Sequence, residues 1–198
     1  MAQADIAVGS ETPLPTSLPH AQLAAMKTLL LMRHAKSDWD HPDLDDHDRP
    51  LNRRGLRNAP LMGKFIRDAK LMPNACLTST AVRARHTAWL AVAAMGRDVP
   101  ITEVPALYDF GDGEAIERAI AMHGGNHSCL LVVGHNPCVQ AFALHASSKD
   151  GDADARADLS AKYPTAAITH IEYDMANWSA LPRTKGSIRA FWKPRDVT

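Results

Sequence analysis

Unbroken apolar runs alternate along this chain with segments whose apolar residues recur every three or four positions. The clearest run is Leu29-Leu30-Leu31-Met32, preceded by Lys27-Thr28. A strand buried on both faces loses the polar alternation of a half-exposed one, so this run predicts a covered strand. Residues 129–133 repeat the pattern, and residues 75–79 read as a further short strand. Between them, residues 52–70 place Leu56, Leu61, Phe65 and Ile66 on one helical face, with Asn52 as N-cap. Gly55, Pro60 and Gly63 interrupt that face, and Pro60 belongs near the first turn or at a kink. Further helices are predicted over residues 81–95, closed by Gly96, over 114–123, ended by Gly124-Gly125, and over 138–146. Residues 101–107 read as strand or extended chain. Residues 147–160 are small and polar without periodicity, and read as a surface loop. Residues 167–173 and 188–192 form two short strands with no helix between them. Together these predict a three-layer α/β/α sandwich whose sheet is mostly parallel with an antiparallel edge.

Composition narrows the picture. The 198 residues suit one domain with a sizeable core. Twenty-two basic residues balance 22 acidic ones, so neither a nucleic-acid nor an anionic membrane surface is expected. Any anion must be bound by a local cluster. Cys76, Cys129 and Cys138 show no Cys-x-x-Cys spacing, which predicts reduced core thiols in a cytoplasmic protein. Residues 1–25 carry Pro13, Pro15 and Pro19 among small polar residues and lack the basic start and apolar centre of a signal peptide. They are expected to be a disordered extension before a domain spanning 26–198, with Met26 itself a natural start.

Chemistry gathers at the strand ends. The first strand delivers Arg33-His34-Ala35-Lys36-Ser37 into a polar loop, where an α/β sheet places its ligands. His34 is the residue there able to act as a nucleophile near neutral pH, and Arg33 offers a planar fork for phosphate oxygens. The segment alone also fits a strand ending in a solvated loop. The second strand leads through Ser79 into a helix whose first turn holds Arg83, where free N–H groups and the helix dipole favour an anion. The third ends in Gly134-His135-Asn136-Pro137, with Pro137 placed to open a helix.

Strand–Arg-His, strand–Ser-x-x-x-Arg and strand–Gly-His-Asn-Pro, in that order, resemble the histidine phosphatase superfamily, and within it the SixA-type phosphohistidine phosphatases. The 48–55, 162–167 and 191–196 segments resemble that branch too. The resemblance implies a phosphoglycerate mutase-like fold and a mechanism needing neither metal nor cofactor. It implies that His34 attacks phosphorus while Arg33, Arg83 and His135 hold the phosphoryl oxygens. The family spacing selects Arg83 over Arg85, because it lies midway between Ser79 and Thr87. A phosphate dianion would raise the pKa of His135 and keep it cationic. Alignment with the mutase branch puts Asp109 near the expected general acid, although Asp109-Phe110-Gly111 is equally a turn sequence. The implied substrate is a phosphorylated protein, such as a histidine-phosphotransfer domain, or a small phosphorylated molecule. A small-molecule phosphomonoesterase, a mutase-like enzyme and a non-catalytic phosphoprotein-binding module are the alternatives. Asp150, Asp152 and Asp154 open like a calcium loop but lack its Gly and Glu. The His41–Asp48 stretch contains metal-ligand types but also reads as a solvated loop.

Overall fold

The computed structural model describes residues 26–197; the expected extension over 1–25 lies outside them. Six strands form one sheet: β1 (Met26–Arg33), β2 (Ala75–Thr78), β3 (Ile101–Glu103), β4 (Cys129–Gly134), β5 (Ile168–Asp174) and β6 (Ser187–Trp192). Their order is β3-β2-β4-β1-β5-β6. β1, β4, β2 and β3 run parallel, whereas β5 pairs antiparallel with β1 and β6 antiparallel with β5. This is the expected α/β sandwich with an antiparallel edge.

The apolar run of β1 serves two cores at once. Successive strand residues point to opposite faces. Leu29 and Leu31 join Leu130, Val132 and Trp178 on one side; Leu30 and Met32 join Leu131, Val133 and Cys76 on the other. Helices α1 (Arg53–Asp68) and α2 (Val82–Met95) cover the second side. Helices α3 (Glu114–His123), α4 (Cys138–His145) and α5 (Ala153–Ala161) cover the first. All three cysteines are buried and free.

The two glycines that interrupt α1 have structural reasons. A Cβ on Gly63 would lie 2.1 Å from the Ala91 carbonyl oxygen, so α1 and α2 approach backbone to backbone there. A Cβ on Gly55 would lie 2.2 Å from the Lys36 carbonyl oxygen, so the start of α1 is pressed against the loop after β1. Asn52 caps the helix by accepting from the Gly55 N–H at 3.0 Å. The helix continues through Pro60 rather than starting near it.

Two expectations need correction. The stretch read as a loop over 147–160 contains most of α5, whose one buried residue is Leu159. A single apolar anchor leaves no periodicity to read. The helix instead depends on polar groups: Asp152 accepts from Ala155 N–H at 2.9 Å, and Gln140 donates to the Leu159 and Ser160 carbonyls. Asp152, one of the calcium-like aspartates, is thus a helix cap. The extended chain expected over 101–107 is strand only to Glu103, and Pro105 then opens a 3₁₀ turn, Pro105–Leu107.

Gly63→Ala should be strongly destabilising, because backbone rather than a flexible side chain stands in the way. The expected loss is about 3 kcal/mol, or roughly 6–12 °C in Tm by thermal denaturation. A loss under about 1 kcal/mol would mean that the two helices separate readily.

Candidate active site

Arg33 and Gly134 are register partners across β1 and β4, so His34 and His135 leave adjacent strand ends together. The His34 N–H donates to the Gly134 carbonyl at 2.9 Å, and the two imidazole centroids are 5.0 Å apart. On the next strand, the Ser79 N–H donates to the Val133 carbonyl at 3.1 Å. Three parallel strands thus deliver Arg33, His34, His135 and Ser79 to one crevice at their carboxyl ends.

Hydrogen bonds define both imidazoles. His34 Nδ1 lies 2.7 Å from the Ala35 carbonyl oxygen, an acceptor only, so Nδ1 carries the proton and donates. The lone pair is left on Nε2. His135 Nδ1 lies 3.4 Å from Arg83 Nη2, a donor only, so Nδ1 accepts and Nε2–H donates to Ser79 Oγ at 2.8 Å. Burial pushes the His34 pKa well below its ordinary value, reinforced by the neighbouring His135. Burial, then the Arg83 charge, pushes His135 down to about 3. Both imidazoles are therefore neutral in the unliganded site. The cationic His135 expected from the sequence would require an anion beside it to raise that value.

Arg83 is 3% exposed in the first turn of α2. Thr87, one turn on, donates to the Arg83 carbonyl at 2.6 Å and accepts from the Ala35 N–H at 2.9 Å, tying the helix to the loop after His34. Arg33 donates through Nη1 to the Tyr163 carbonyl at 2.7 Å, while its Nε is buried without a hydrogen-bond partner. An orphaned guanidinium N–H beside two imidazoles is a donor awaiting an acceptor. Arg85 points elsewhere, 3.6 Å from Glu103 and over the Trp89 ring.

The structure does not bring Asp109 into this cluster. Its carboxylate accepts from the Cys138 thiol at 3.5 Å, whereas its neighbours Tyr108 and Phe110 pack against His135, with centroids 5.5 and 5.2 Å away. Alternation around Asp109 turns it from the imidazoles. The carboxylate that does reach the cluster is Asp46, at the tip of the acidic loop in a 3₁₀ turn, Asp46–Asp48. It accepts from Arg83 Nη2 at 2.8 Å, Tyr108 hydroxyl at 2.9 Å and Arg49 Nη1 at 2.7 Å. Burial alone would raise its pKa, but bonds from Arg49, Tyr108 and Arg83 outweigh this and hold it at about 2. Sequence reading missed Asp46 because it is one of several aspartates in an aperiodic loop. Its signal was the nearby Arg49, which also donates to Ser37 Oγ at 2.7 Å.

Two imidazoles and the guanidinium groups of Arg33 and Arg83 thus gather where the parallel strands of an α/β sheet end and α2 begins. Residues 29–116 match the model of the histidine phosphatase superfamily (branch 1). The chain is 39% identical over 166 residues to an uncharacterized protein of Mycobacterium tuberculosis (strain H37Rv), covering 83% of this chain and all of that one. A solved structure from Nakamurella multipartitia, assigned as a SixA phosphohistidine phosphatase, superposes with a TM-score of 0.72 at 28% identity, covering 86% of this chain and 98% of that one. A phosphoglycerate mutase from Plasmodium falciparum shares the fold, with a TM-score of 0.55 at 19% identity over 84% of this chain and 91% of its own. The chain belongs to the histidine phosphatase superfamily. Within it, the likeness is to the SixA type.

The depressed imidazole pKa values make stability pH-dependent. In the unfolded chain a histidine takes a proton below its ordinary value of 6.5, whereas folded His135 stays neutral down to about 3. The unfolded state then binds more protons across that window, so stability declines as pH falls through it. Thermal melts should show Tm dropping between about pH 6.5 and 4.5, above the carboxylate range. The drop should be shallower in His135→Asn. An equal slope in the variant would mean that His135 is as easily protonated folded as unfolded.

Proposed function

We propose that this chain is a phosphatase working through a phosphohistidine intermediate on His34, and that its substrate is a phosphohistidine in another protein. The observation that carries the reading is the His34 tautomer. With Nδ1–H held by the Ala35 carbonyl, the Nε2 lone pair is available for in-line attack. The Nε2–P bond forms as the bond from phosphorus to the leaving group breaks. Water then attacks the same phosphorus, the Nε2–P bond breaks, and inorganic phosphate leaves with the imidazole neutral again. Phosphoryl transfer depends mainly on positioning and on positive charge around the equatorial oxygens. The orphaned Nε of Arg33, the guanidinium of Arg83 and a His135 that takes up a proton from solvent as the arriving dianion raises its pKa would supply that charge.

The leaving group favours phosphohistidine over an alkyl phosphate. An alkoxide needs a proton as it departs, whereas a phosphorylated imidazole can be protonated beforehand. Asp109 is turned to Cys138 and the Asp46 carboxyl is held at about 2 by its partners, so neither is poised as an acid. If Asp109 is the general acid, it must turn from Cys138 when substrate binds. The three free, buried thiols suit a reducing compartment such as the cytoplasm. Residues 26–198 would form the catalytic domain, and the mechanism proposed here uses no metal or cofactor.

His34→Ala should abolish turnover of phosphohistidine protein while leaving the fold intact, and labelled phosphate should be trapped on wild-type His34 after an acid-free quench. A loss of only a few-fold would overturn the covalent route. Arg83→Ala should lower kcat by about a hundredfold, the scale of a lost charged donor in a buried site. Arg85→Ala should lower it by no more than about threefold, as for a partly exposed ion pair. Equal losses would remove Arg83 from the phosphate site. Comparing phosphohistidine, phosphoserine peptides and sugar phosphates, each with and without EDTA, tests the substrate class and the metal-free mechanism together.

A further inference from the structure

The solvent side of the site is closed by a group that the proposed reaction does not use. Asp46 occupies both terminal nitrogens of Arg83: its carboxylate takes Nη2 at 2.8 Å and its main-chain carbonyl takes Nη1. Nη2 also faces His135 Nδ1 at 3.4 Å. The two acceptor oxygens of Asp46 therefore stand where oxygens of a phosphoryl group would meet the fork of this arginine.

We propose that Asp46 is a resident anion of the phosphoryl pocket, which the substrate must displace from Arg83 and which sets the affinity of the pocket for phosphate. This rests on the reading of Arg83 as a phosphate-binding residue. The two partners are unequally mobile by construction. The Arg83 side chain is 3% exposed, whereas that of Asp46 is 48% exposed. The main chain of Arg83 is fixed in α2 and tied through Thr87 to the loop after His34. Asp46 sits at the tip of a loop closed at its base by the Ser37–Leu51 bridge and by the Asp38 N–H donating to the Pro50 carbonyl at 2.8 Å. Exchange therefore swings the aspartate into water and leaves the arginine in place.

The exchange is conditional. Releasing Asp46 alone would leave a buried guanidinium without its counter-charge, which is strongly unfavourable. Retaining Asp46 while a dianion enters would set like charges side by side, which is also unfavourable. Asp46 thus leaves as another anion arrives and returns as phosphate departs. Its carboxylate has two other partners, Tyr108 donating to Oδ2 and Arg49 to Oδ1, which keep it beside the site when it leaves Arg83.

Calorimetric titration of the full chain with inorganic phosphate at neutral pH tests this without turnover. Asp46→Asn keeps the shape and removes the charge, and should tighten phosphate binding by about tenfold, the scale of one charge-assisted hydrogen bond. Tyr108→Phe removes one donor from Oδ2 and keeps every charge, and should tighten binding by about twofold. Unchanged binding in Asp46→Asn overturns the proposal, and weaker binding would make Asp46 a support that orients Arg83. Should Asp46→Asn fail to fold, Tyr108→Phe decides in the same way: tighter binding supports the exchange, and unchanged or weaker binding overturns it. Arg83→Ala separates the two readings. Phosphate binding that survives it overturns the phosphate-pocket assignment. Binding lost in Arg83→Ala but unchanged in Asp46→Asn overturns the resident anion alone.

Discussion

The register of β1 on β4 is the constraint from which the site follows. Because Arg33 pairs with Gly134, His34 and His135 are the next residues out of the sheet on neighbouring strands. The bond from His34 N–H to the Gly134 carbonyl extends that ladder one residue past the strands. A slip of one residue would send every β1 side chain to the opposite face. It would also bury the wrong half of the leucine run, since Leu29 and Leu31 serve one core and Leu30 and Met32 the other. The packing that stabilises the domain and the placement of the imidazole pair are thus one requirement.

Around this pair, hydrogen bonds from near and distant segments position the polar groups. Thr87 links α2 to the loop after His34, the Ser79 hydroxyl takes the proton of His135, and the Ala35 carbonyl takes that of His34. Burial keeps both rings neutral, so the positive charge beside them resides in Arg33 and Arg83. One of these has an unsatisfied N–H and the other is neutralised by Asp46.

The acidic loop has a second role in shaping the site. Arg49, nearly buried, donates to Asp46, to the Asp38 carbonyl and to Ser37, and its guanidinium stacks over Trp39 at 3.2 Å from the ring centroid. His47 meets Thr80 at 3.1 Å and the Tyr108 ring edge-on. The aromatic lip of Tyr108 and Phe110 over His135 completes the wall. That lip explains the direction of Asp109: with both neighbours facing the imidazole, the carboxylate between them faces Cys138.

Elements that contact the core through many apolar residues were legible from the chain alone. The strands at Leu29–Met32 and Cys129–Val133 are examples, because burial leaves its record in the order of residues. The helix after Asn52 was legible as a helix, but its buried face runs through Gly55, Ala59, Met62, Gly63 and Ile66, and Leu56, expected on that face, is half exposed. The strand-end motifs carrying Arg33, His34, Arg83 and His135 were legible too, since a sheet of this kind opens its crevice where those strands end. Helix α5 was not, because one leucine and several polar caps hold it. Two glycines in α1 read as weaknesses until Lys36 and Ala91 were seen pressed against them. The partners of charged loop residues were decided only in three dimensions: Asp46 and Arg83 are 37 positions apart, and nothing in their spacing marks them as a pair. Hydrophobic burial acts on many residues in sequence and leaves a periodic record, whereas an ion pair joins two distant side chains and leaves none until the chain has folded.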